Sequence, residues 1–400
     1  MTSYREPARF YIIKQSKPTM REVFVDDPQQ LQHLCEELST EPLLALDTEF
    51  LREKTYYAQL CLIQIATPHV IACIDPIQLQ DINPFLKILY DPQKVKVMHS
   101  ARQDLEIFHD MTQQVPAPLF DTQIAATLLG FGDQLGYANL IEKMLGIKLA
   151  KTHTRTDWSR RPLGRGQMEY AMDDVRYLLQ VYQMQTEALE KLGRSDWLQK
   201  DFAALTDPQL YRQTMEDLWQ KVRGANTLKG VQLAVLQRLA QWREQQAVEK
   251  NRPRRWIVRD DVMLEIARQL PQTTAALTKI PGSDTFLQKN ADAVLAVVEQ
   301  GKAVPQSQWP TSARFTRLTS EQEAKVDLLM AVVRMRAARA DVTPSVLASR
   351  KELECLVQGN KPCAVMRGWR AELVGNELQA ILNGDRHVFL DSGEIKVQTE

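Results

Sequence analysis

The chain has 400 residues, more than one hydrophobic core usually serves, and its 44% hydrophobic and 25% charged residues are typical of globular proteins. No apolar run reaches the roughly 18–20 residues that cross a bilayer, and the amino terminus lacks the order of a secretory signal. We therefore expect a soluble, cytoplasmic protein of several domains without a membrane partner. The formal net charge of +0 alone argues against a nucleic-acid ligand.

The local charge distribution points the other way. Between Lys221 and Arg259 there are ten Lys or Arg residues against two acids, Glu244 and Glu249, a local charge of +8. A second basic cluster has the single acid Asp157 among its cations, which are Lys148, Lys151, Arg155, Arg160, Arg161 and Arg165. Such clusters are typical of phosphate binding, although they also occur on solvated helix faces.

The five cysteines argue against two kinds of site. They form no CxxC pair and are too sparse for a disulfide framework or a thiolate metal site. We expect free, buried thiols.

The first half of the chain alternates strand and helix patterns, which predicts a three-layer α/β domain at residues 21–206. Asp27 and Pro28 mark the start of its first helix, and Thr67-Pro68 separates two strands of a hairpin. The predicted strands are 21–27, 42–50, 59–66, 69–76 and 95–100. The predicted helices are 27–39, 82–90, 101–111, 122–130, 138–146 and one long helix at about 166–192.

Beyond about Asp207 only helical patterns are found. Breaks at Pro281-Gly282 and at 305–311 divide this part into two small all-α domains. We place these domains at 207–300 and 311–386, with an amino-terminal extension at 1–20 and a tail at 387–400. Neither extension nor tail suggests a role.

Acidic residues on a predicted strand form the first candidate site. Asp47 and Glu49 are two apart, so their carboxylates share one face while Leu46 and Thr48 point to the other. An unpaired buried charge costs roughly several kcal/mol, and a bound divalent cation would offset this cost for the two carboxylates. Mg²⁺ or Mn²⁺ is the usual partner of a cluster made only of carboxylates.

Two helical segments add further candidates. Asp104 falls in the first turns of a helix, where it could also serve only as a partner of the helix dipole. Tyr170 and Asp174 are four apart on one helix face, whereas Asp173 is expected to face solvent.

Together these motifs resemble the tyrosine subgroup of the DEDD exonucleases, through DTEF, HSARQDLE and YAMDDVRYL. The segments TYYAQLCLIQIA, LFDTQIAA and RTDWSRRPL narrow the resemblance to ribonuclease D, and the helical domains resemble its two HRDC domains. The resemblance covers about Arg21 to Asn383. It implies a ribonuclease H-like mixed sheet and a 3′→5′ exoribonuclease that releases 5′-mononucleotides from RNA, including tRNA precursors and other small structured RNAs. No obligate protein partner is indicated.

The resemblance also assigns roles to the site residues. Asp47, Glu49 and Asp174 would bind one of two Mg²⁺ or Mn²⁺ ions, Asp47 would bridge to the second, and Asp104 would hold the second ion through water. Tyr170 would orient the attacking water, since a phenol with a pKa near 10 is a poor base at neutral pH.

Other residues are candidates for RNA contact or for structure. Trp158, Arg160 and Arg161 precede the site helix and either contact the RNA backbone or anchor their loop. The second group of candidate RNA-binding residues comprises Arg252, Arg254 and Arg255. We expect a structural role for His99 and a helix cap at Asp121.

Two other functions remain open. A DNA 3′→5′ exonuclease of the proofreading or repair type uses the same carboxylates, and HRDC domains also accompany DNA helicases. A catalytically silent RNA-binding protein with this fold would usually lack a carboxylate, and none is lost here.

Overall fold

The computed structural model describes residues 20–150, 156–212, 214–311, 318–359 and 363–399. Its described residues form two compact units, and each is discontinuous in sequence. The first combines the described parts of 1–49, 60–210 and 317–400, and the second combines 50–59 with the described parts of 211–316. The amino-terminal extension, except Met20, lies outside the described residues, as do Lys151 and Arg155.

A six-stranded mixed sheet organises the nuclease part of the chain. Its strands are β1 (Arg21–Val25), β2 (Leu43–Leu51), β3 (Gln59–Ala66), β4 (Val70–Ile74), β5 (Val95–Met98) and β6 (Leu119–Asp121). Their order across the sheet is β1-β4-β3-β2-β5-β6. The β3–β4 pair is antiparallel, as predicted, while the pairs β1–β4, β2–β5 and β5–β6 are parallel.

Helices cover this sheet. They are α1 (Pro28–Ser39), α2 (Pro76–Leu79), α3 (Asn83–Leu89), α4 (Arg102–Thr112), α5 (Thr122–Leu128), α6 (Tyr137–Leu145), α7 (Arg165–Arg176), α8 (Leu178–Lys191) and α9 (Ser195–Leu205). Every residue of β4 and most of β3 are buried, so both faces of the sheet are covered. The predicted three-layer α/β domain is confirmed.

Two predictions about the sequence signals of this domain have opposite outcomes. The cap at Asp27 is confirmed, because its carboxylate accepts from the backbone N–H of Gln29 (2.9 Å) and Gln30 (3.0 Å). The single long helix at 166–192 is wrong, because the chain breaks into α7 and α8 at Tyr177. Since neither Pro nor Gly lies there, the helical pattern runs through the break.

The second unit consists of helices around its own apolar core. They are α10 (Val231–Glu249), α11 (Arg254–Ile257), α12 (Asp260–Gln269), α13 (Thr274–Thr278), α14 (Thr285–Lys289) and α15 (Ala291–Lys302), with 3₁₀ turns at Met215–Lys221, Ala225–Thr227 and Gln306–Gln308. Helices α10 and α15 pack so closely that a Cβ on Gly301 would lie 2.5 Å from the Cα of Val235. The break at Pro281-Gly282 is therefore a turn inside this unit and does not divide two domains.

The remaining helices pack in the first unit, against its nuclease part. They are α16 (Ser320–Arg339), α17 (Pro344–Leu347), α18 (Arg350–Val357), α19 (Gly368–Arg370) and α20 (Asn376–Asn383), with a 3₁₀ turn at Ala364–Met366 and a π-helical turn at Ala371–Gly375. The rings of Trp197 and Trp369 stack with centroids 4.6 Å apart and planes at 4°. Beside them Arg370 pairs with Asp201 at 3.0 Å. Stack and ion pair fasten α19 to α9.

The carboxyl-terminal tail contradicts the prediction that strands end near Asp207. It forms a hairpin of β7 (Arg386–Asp391) and β8 (Glu394–Thr399). Ser392 and Gly393 occupy the turn with φ of 53° and 83°, the positive values that a tight hairpin turn requires. The Ser-Gly dipeptide was an available turn signal, but most of the hairpin is exposed, so its strands lack a buried alternating face.

Two sequence expectations concern features outside any site. The five cysteines are buried, as expected, except the half-buried Cys355, whose sulfur lies 2.9 Å from that of Cys363. Across the described parts of the chain, we find no helix with the length and apolar character that crossing a membrane demands.

Candidate functional site: a buried carboxylate cluster

The end of strand β2 carries the first two predicted site residues. Its register in the sheet is fixed by parallel pairing with β5, where Leu43 lies opposite Val95. Asp47 and Glu49 follow the buried run that ends at Leu46, and both are partly exposed. Alternation along the strand places the two carboxyls on one face.

Asp104 lies in the first turn of α4, as predicted, and is 6% exposed. Asp121 fixes the start of this helix, because it accepts from the backbone N–H of Ser100 (3.1 Å) and Ala101 (2.9 Å). The hydroxyl of Thr48 donates to the Asp104 carboxylate. A carboxylate that served only the helix dipole could remain in solvent, so this buried contact favours a role in the site. Sequence analysis missed Thr48.

The predicted cap at Asp121 is confirmed and does more than expected. Its carboxylate also accepts from the backbone N–H of Gln123 (2.8 Å) and Ile124 (3.3 Å), which begin α5. One buried side chain therefore fixes the starts of both α4 and α5, and through α4 the position of Asp104.

Helix α7 supplies the other two candidates. Tyr170 and Asp174 share one face, and the Tyr170 hydroxyl donates to the Asp174 carboxylate. The Trp158 ring is 3% exposed, and its centroid lies 6.1 Å from that of Tyr170. Packing thus holds the phenol ring while its hydroxyl reaches the acid.

The neighbouring Asp173 was predicted to face solvent, and this prediction is wrong. Its carboxylate binds Arg176 at 2.6 Å, and Arg176 also binds Glu22 at 2.8 Å. Because Arg176 is almost completely buried, it needs these charged partners. Asp173 therefore helps to anchor α7, next to the residue that faces the site.

The four acids Asp47, Glu49, Asp104 and Asp174, here called the carboxylate cluster, share one electrostatic environment. Burial and then Asp104, Asp174 and Glu49 raise the pKa of Asp47 well above its ordinary value. Burial and then Asp174 and Asp104 raise the pKa of Glu49 to about 8. Burial raises the pKa of both Asp104 and Asp174 to about 7. The structure therefore brings together the acids that the sequence had placed on three separate elements.

Tyr170 is protonated in this environment. Burial and the neighbouring charges of Asp174 and Glu49 raise the pKa of its phenol above the ordinary value. The hydroxyl can then donate a hydrogen bond at neutral pH but cannot serve as a base.

The chemistry of the cluster fits a hard divalent cation. Four carboxyls with raised pKa values are a set of oxygen ligands, and no cation among the described residues lowers any of these pKa values. Among residues with described positions, no three Asp, Glu, His or Cys side chains surround one point closely enough to hold an ion as they stand. Closure around a cation thus requires side-chain rotation, which is available because Asp47 and Glu49 are half-exposed.

Metal-free protein should lose stability as the pH rises from about 5 to 8. The raised pKa values mean that the folded state holds protons that unfolded carboxyls, with a pKa near 4, have released. More protons are then bound in the folded state, so the free energy of unfolding falls with pH. Urea unfolding in EDTA across this range measures the slope, which should be smaller for Asp47→Asn. A flat wild-type profile would contradict the prediction.

A cavity of about 240 Å³ lies beside Tyr170 and Asp174. The first turn of α6 forms one wall with Tyr137, Ala138 and Asn139. His99 holds the chain that leads into this turn. Its Nε2 lies 2.9 Å from the carbonyl of Leu135, and its Nδ1 lies 2.9 Å from the hydroxyl of Thr122. These contacts agree with the structural role predicted for His99. The position of its first turn beside the cavity also makes α6 part of the site, which was not predicted from the sequence.

The loop before α7 is mainly an anchor. The Arg161 guanidinium binds the buried Asp75 carboxylate, with Nη2 at 2.8 Å, and donates to the carbonyls of Cys61 (2.7 Å) and Trp158 (2.7 Å). With its donors engaged and Trp158 buried, the structure favours the anchoring alternative for both residues. Arg160 pairs with the exposed Asp157, and its side chain is 83% exposed, so it remains a candidate for RNA contact.

The candidate arginines of the second unit also divide into two kinds. Arg252 and Arg255 are exposed. Arg254 instead binds Glu244, which is only 2% exposed, with Nη2 and Oε1 2.6 Å apart. Arg254 was predicted to bind RNA, but it is not available for this role because it is already bound to a buried carboxylate. Removing Arg254 would leave that carboxylate without its cation.

Family models match two parts of the chain. The model described as 3′-5′ exonuclease matches residues 23–190, and that of the HRDC domain matches 232–298. These ranges agree with the predicted nuclease domain and first helical domain. The second HRDC-like domain and the domain boundaries stay predictions.

Relatives match the chain over most of its length. Ribonuclease D of Acidiphilium cryptum is 38% identical over 370 residues, which cover 90% of this chain and 93% of the relative. Ribonuclease D of Gluconacetobacter diazotrophicus is 37% identical over 378 residues, covering 94% and 96%. The crystal structure of Escherichia coli RNase D, an exoribonuclease involved in structured RNA processing, has 30% identity and a TM-score of 0.82, covering 91% of this chain and 99% of the other.

Proposed function

Because this chain belongs to the ribonuclease D family and is a 3′→5′ exoribonuclease, we propose that its carboxylate cluster hydrolyses RNA 3′ ends with two divalent cations. The products are 5′-mononucleotides, and the substrates are tRNA precursors and other small structured RNAs in the cytoplasm. The observation that carries this proposal is the convergence of four carboxyls from β2, α4 and α7, which lie close enough that Asp104, Asp174 and Glu49 raise the pKa of Asp47.

The four carboxylates would hold Mg²⁺ or Mn²⁺. Asp47, Glu49 and Asp174 would hold one ion, and Asp104 together with Asp47 would help to hold the second. When bound, such ions lower the pKa of water and offset negative charge on the phosphate. The protein's contribution is to orient the four acids. For Asp104, Asp121 fixes the start of its helix, and the hydrogen bond from Thr48 favours the deprotonated carboxylate.

Tyr170 would orient the attacking water through its hydroxyl, whose oxygen can accept a hydrogen bond from the water while its proton is donated to Asp174. Its protonated phenol and its hydrogen bond to Asp174 support this role over that of a base. The last nucleotide of the RNA would enter the cavity beside Tyr170, where the first turn of α6 lies on one side.

The test is a digestion of matched 3′-labelled and 5′-labelled strands with Mg²⁺ or Mn²⁺. We expect mononucleotides from 3′-labelled RNA and stepwise shortening of 5′-labelled RNA, both stopped by EDTA and restored by added metal. DNA cleaved faster than RNA would favour the repair exonuclease instead. RNA bound without any cleavage would favour the silent binding protein.

Replacing Arg252 and Arg255 with Ala should weaken RNA binding by reducing phosphate contacts. Each contact with a single strand contributes about −0.7 to the log–log slope of affinity against salt, so losing two should flatten the slope by up to about 1.4. Fluorescence anisotropy with long RNA at several salt concentrations measures this slope. Replacing Glu249, an exposed acid that is close in sequence, with Gln provides a control that should not weaken binding. Wild-type affinity and slope would reduce this basic stretch to a solvated face.

A further inference from the structure

The chain that leaves the end of strand β2 belongs to the second compact unit. Strand β2 ends at Leu51, two residues after Glu49, and residues 50–59 group with the helices that follow residue 210. The segment between β2 and β3 forms neither helix nor strand. Its conformation must therefore be fixed by contacts with other parts of the chain.

Tyr56 is the main anchor of this segment. Its ring packs against the core of the second unit, and its hydroxyl donates to the carboxylate of Glu244 on α10. Arg254 closes the arrangement, because its Nη2 lies 2.6 Å from the Glu244 carboxylate and 3.1 Å from the Tyr56 hydroxyl. The same guanidinium lies 4.8 Å from the centroid of the Tyr56 ring.

Asn251 fixes the backbone next to this anchor. Its side-chain oxygen accepts from the N–H groups of Tyr56 (3.0 Å) and Tyr57 (3.2 Å). Asn251 itself adopts a φ of 44°, a left-handed conformation that asparagine tolerates better than most residues. Two consecutive amides of the segment are therefore held by one side chain of the helical unit.

The network is charged and internally satisfied. Burial raises the pKa of Glu244, but hydrogen bonds from Arg254 and Tyr56 lower it below the ordinary value, so this 2% exposed carboxylate is ionised. Because a buried charge depends on all its partners, loss of one partner should loosen the others. The network thus makes the segment conformation sensitive to any one of these side chains.

We propose that Tyr56, Glu244, Asn251 and Arg254 are positioning residues for the nuclease reaction, which hold the segment that follows Glu49 and thereby the end of the strand that carries Glu49. The second unit then contributes to cleavage of RNA of every length, including strands too short to bind at a distance from the cleavage site. This inference rests on the proposed role of Glu49. A displacement of about 1 Å at a reacting group can reduce the rate by about 10²-fold.

The experiment compares Tyr56→Phe, Glu244→Gln and Arg254→Lys with wild type in the full-length protein. On a short oligoribonucleotide we expect kcat to fall by about 10- to 100-fold with little change in KM, and more Mn²⁺ to be needed for half-maximal rate. Hydrogen exchange should accelerate at the amides of Tyr56 and Tyr57. Because the three residues act together, Tyr56→Phe and Glu244→Gln should be less than additive when combined.

Controls separate positioning from folding. Glu249→Gln changes an exposed acid on α10 and should leave kcat and exchange unchanged. If Glu244→Gln fails to fold, Tyr56→Phe still tests the inference, because it removes only one hydroxyl. Wild-type kcat on short RNA in Tyr56→Phe, or wild-type exchange at these amides, would overturn the inference. If Glu49→Gln remains fully active, the proposed role of Glu49 fails instead, whatever the network variants do.

Discussion

Replacing Asp47 with Asn should reduce exonuclease activity by on the order of 10³-fold or more, while RNA binding in EDTA should be retained or strengthened. Asn keeps the size of the side chain but removes the carboxyl on which the other three members of the cluster act electrostatically. Phosphate is then repelled less, which favours binding, while cations are held less, which prevents cleavage. Stopped assays with 5′-labelled RNA give kcat/KM, and anisotropy gives the affinity.

The matched control for this variant is Asp26→Asn, which changes an exposed acid in the same unit. It should cut RNA at the wild-type rate. Asp174→Asn should behave like Asp47→Asn. Digestion of RNA at the wild-type rate by either cluster variant would refute the assignment of the carboxylate cluster.

Replacing Tyr170 with Phe should lower kcat by roughly 10²- to 10⁴-fold, the usual contribution of a positioned proton-transfer group. The variant keeps the ring packed beside Trp158 and loses only the hydroxyl that binds Asp174. Folding, RNA affinity and the Mn²⁺ requirement should therefore change little. Single-turnover kinetics isolate the chemical step.

The control for the tyrosine is Tyr182→Phe on the next helix, where the ring packs edge-on against Phe120. That variant should retain wild-type turnover. An unchanged rate in Tyr170→Phe would reduce Tyr170 to a packing residue.

Two pairs of site residues were predictable from local periodicity, whereas Asp104 and the grouping of all four acids followed from the family resemblance. Strand alternation joins Asp47 with Glu49, and helical spacing joins Tyr170 with Asp174, whatever the rest of the fold does. Thr48 was not predictable in this way. Its contact with Asp104 depends on how α4 packs against β2, because the two residues are 56 positions apart in sequence.

Charge counting predicted the basic surface less well. The sum of +8 treats every cation as free, but Arg243 is bound to Asp260 at 2.6 Å and Arg254 is bound to Glu244. Both arginines belong to a folded network that becomes visible only when distant acids are placed. Hydropathy patterns likewise carried the predicted helix through Tyr177, because a break without Pro or Gly leaves no local mark.

The stack of Trp197 on Trp369 has a consequence for folding during synthesis on the ribosome. A ribosome releases the sheet, then the helices of the second unit, and only afterwards the residues that cover Trp197 and pair with Asp201. Domains generally fold in the order of synthesis. The apolar surface around Trp197 in the nascent nuclease part therefore stays exposed to solvent until Trp369 has been synthesised. A nonsense codon near residue 210 would therefore yield an aggregation-prone fragment that chaperones and proteases recognise, and not a minimal active enzyme.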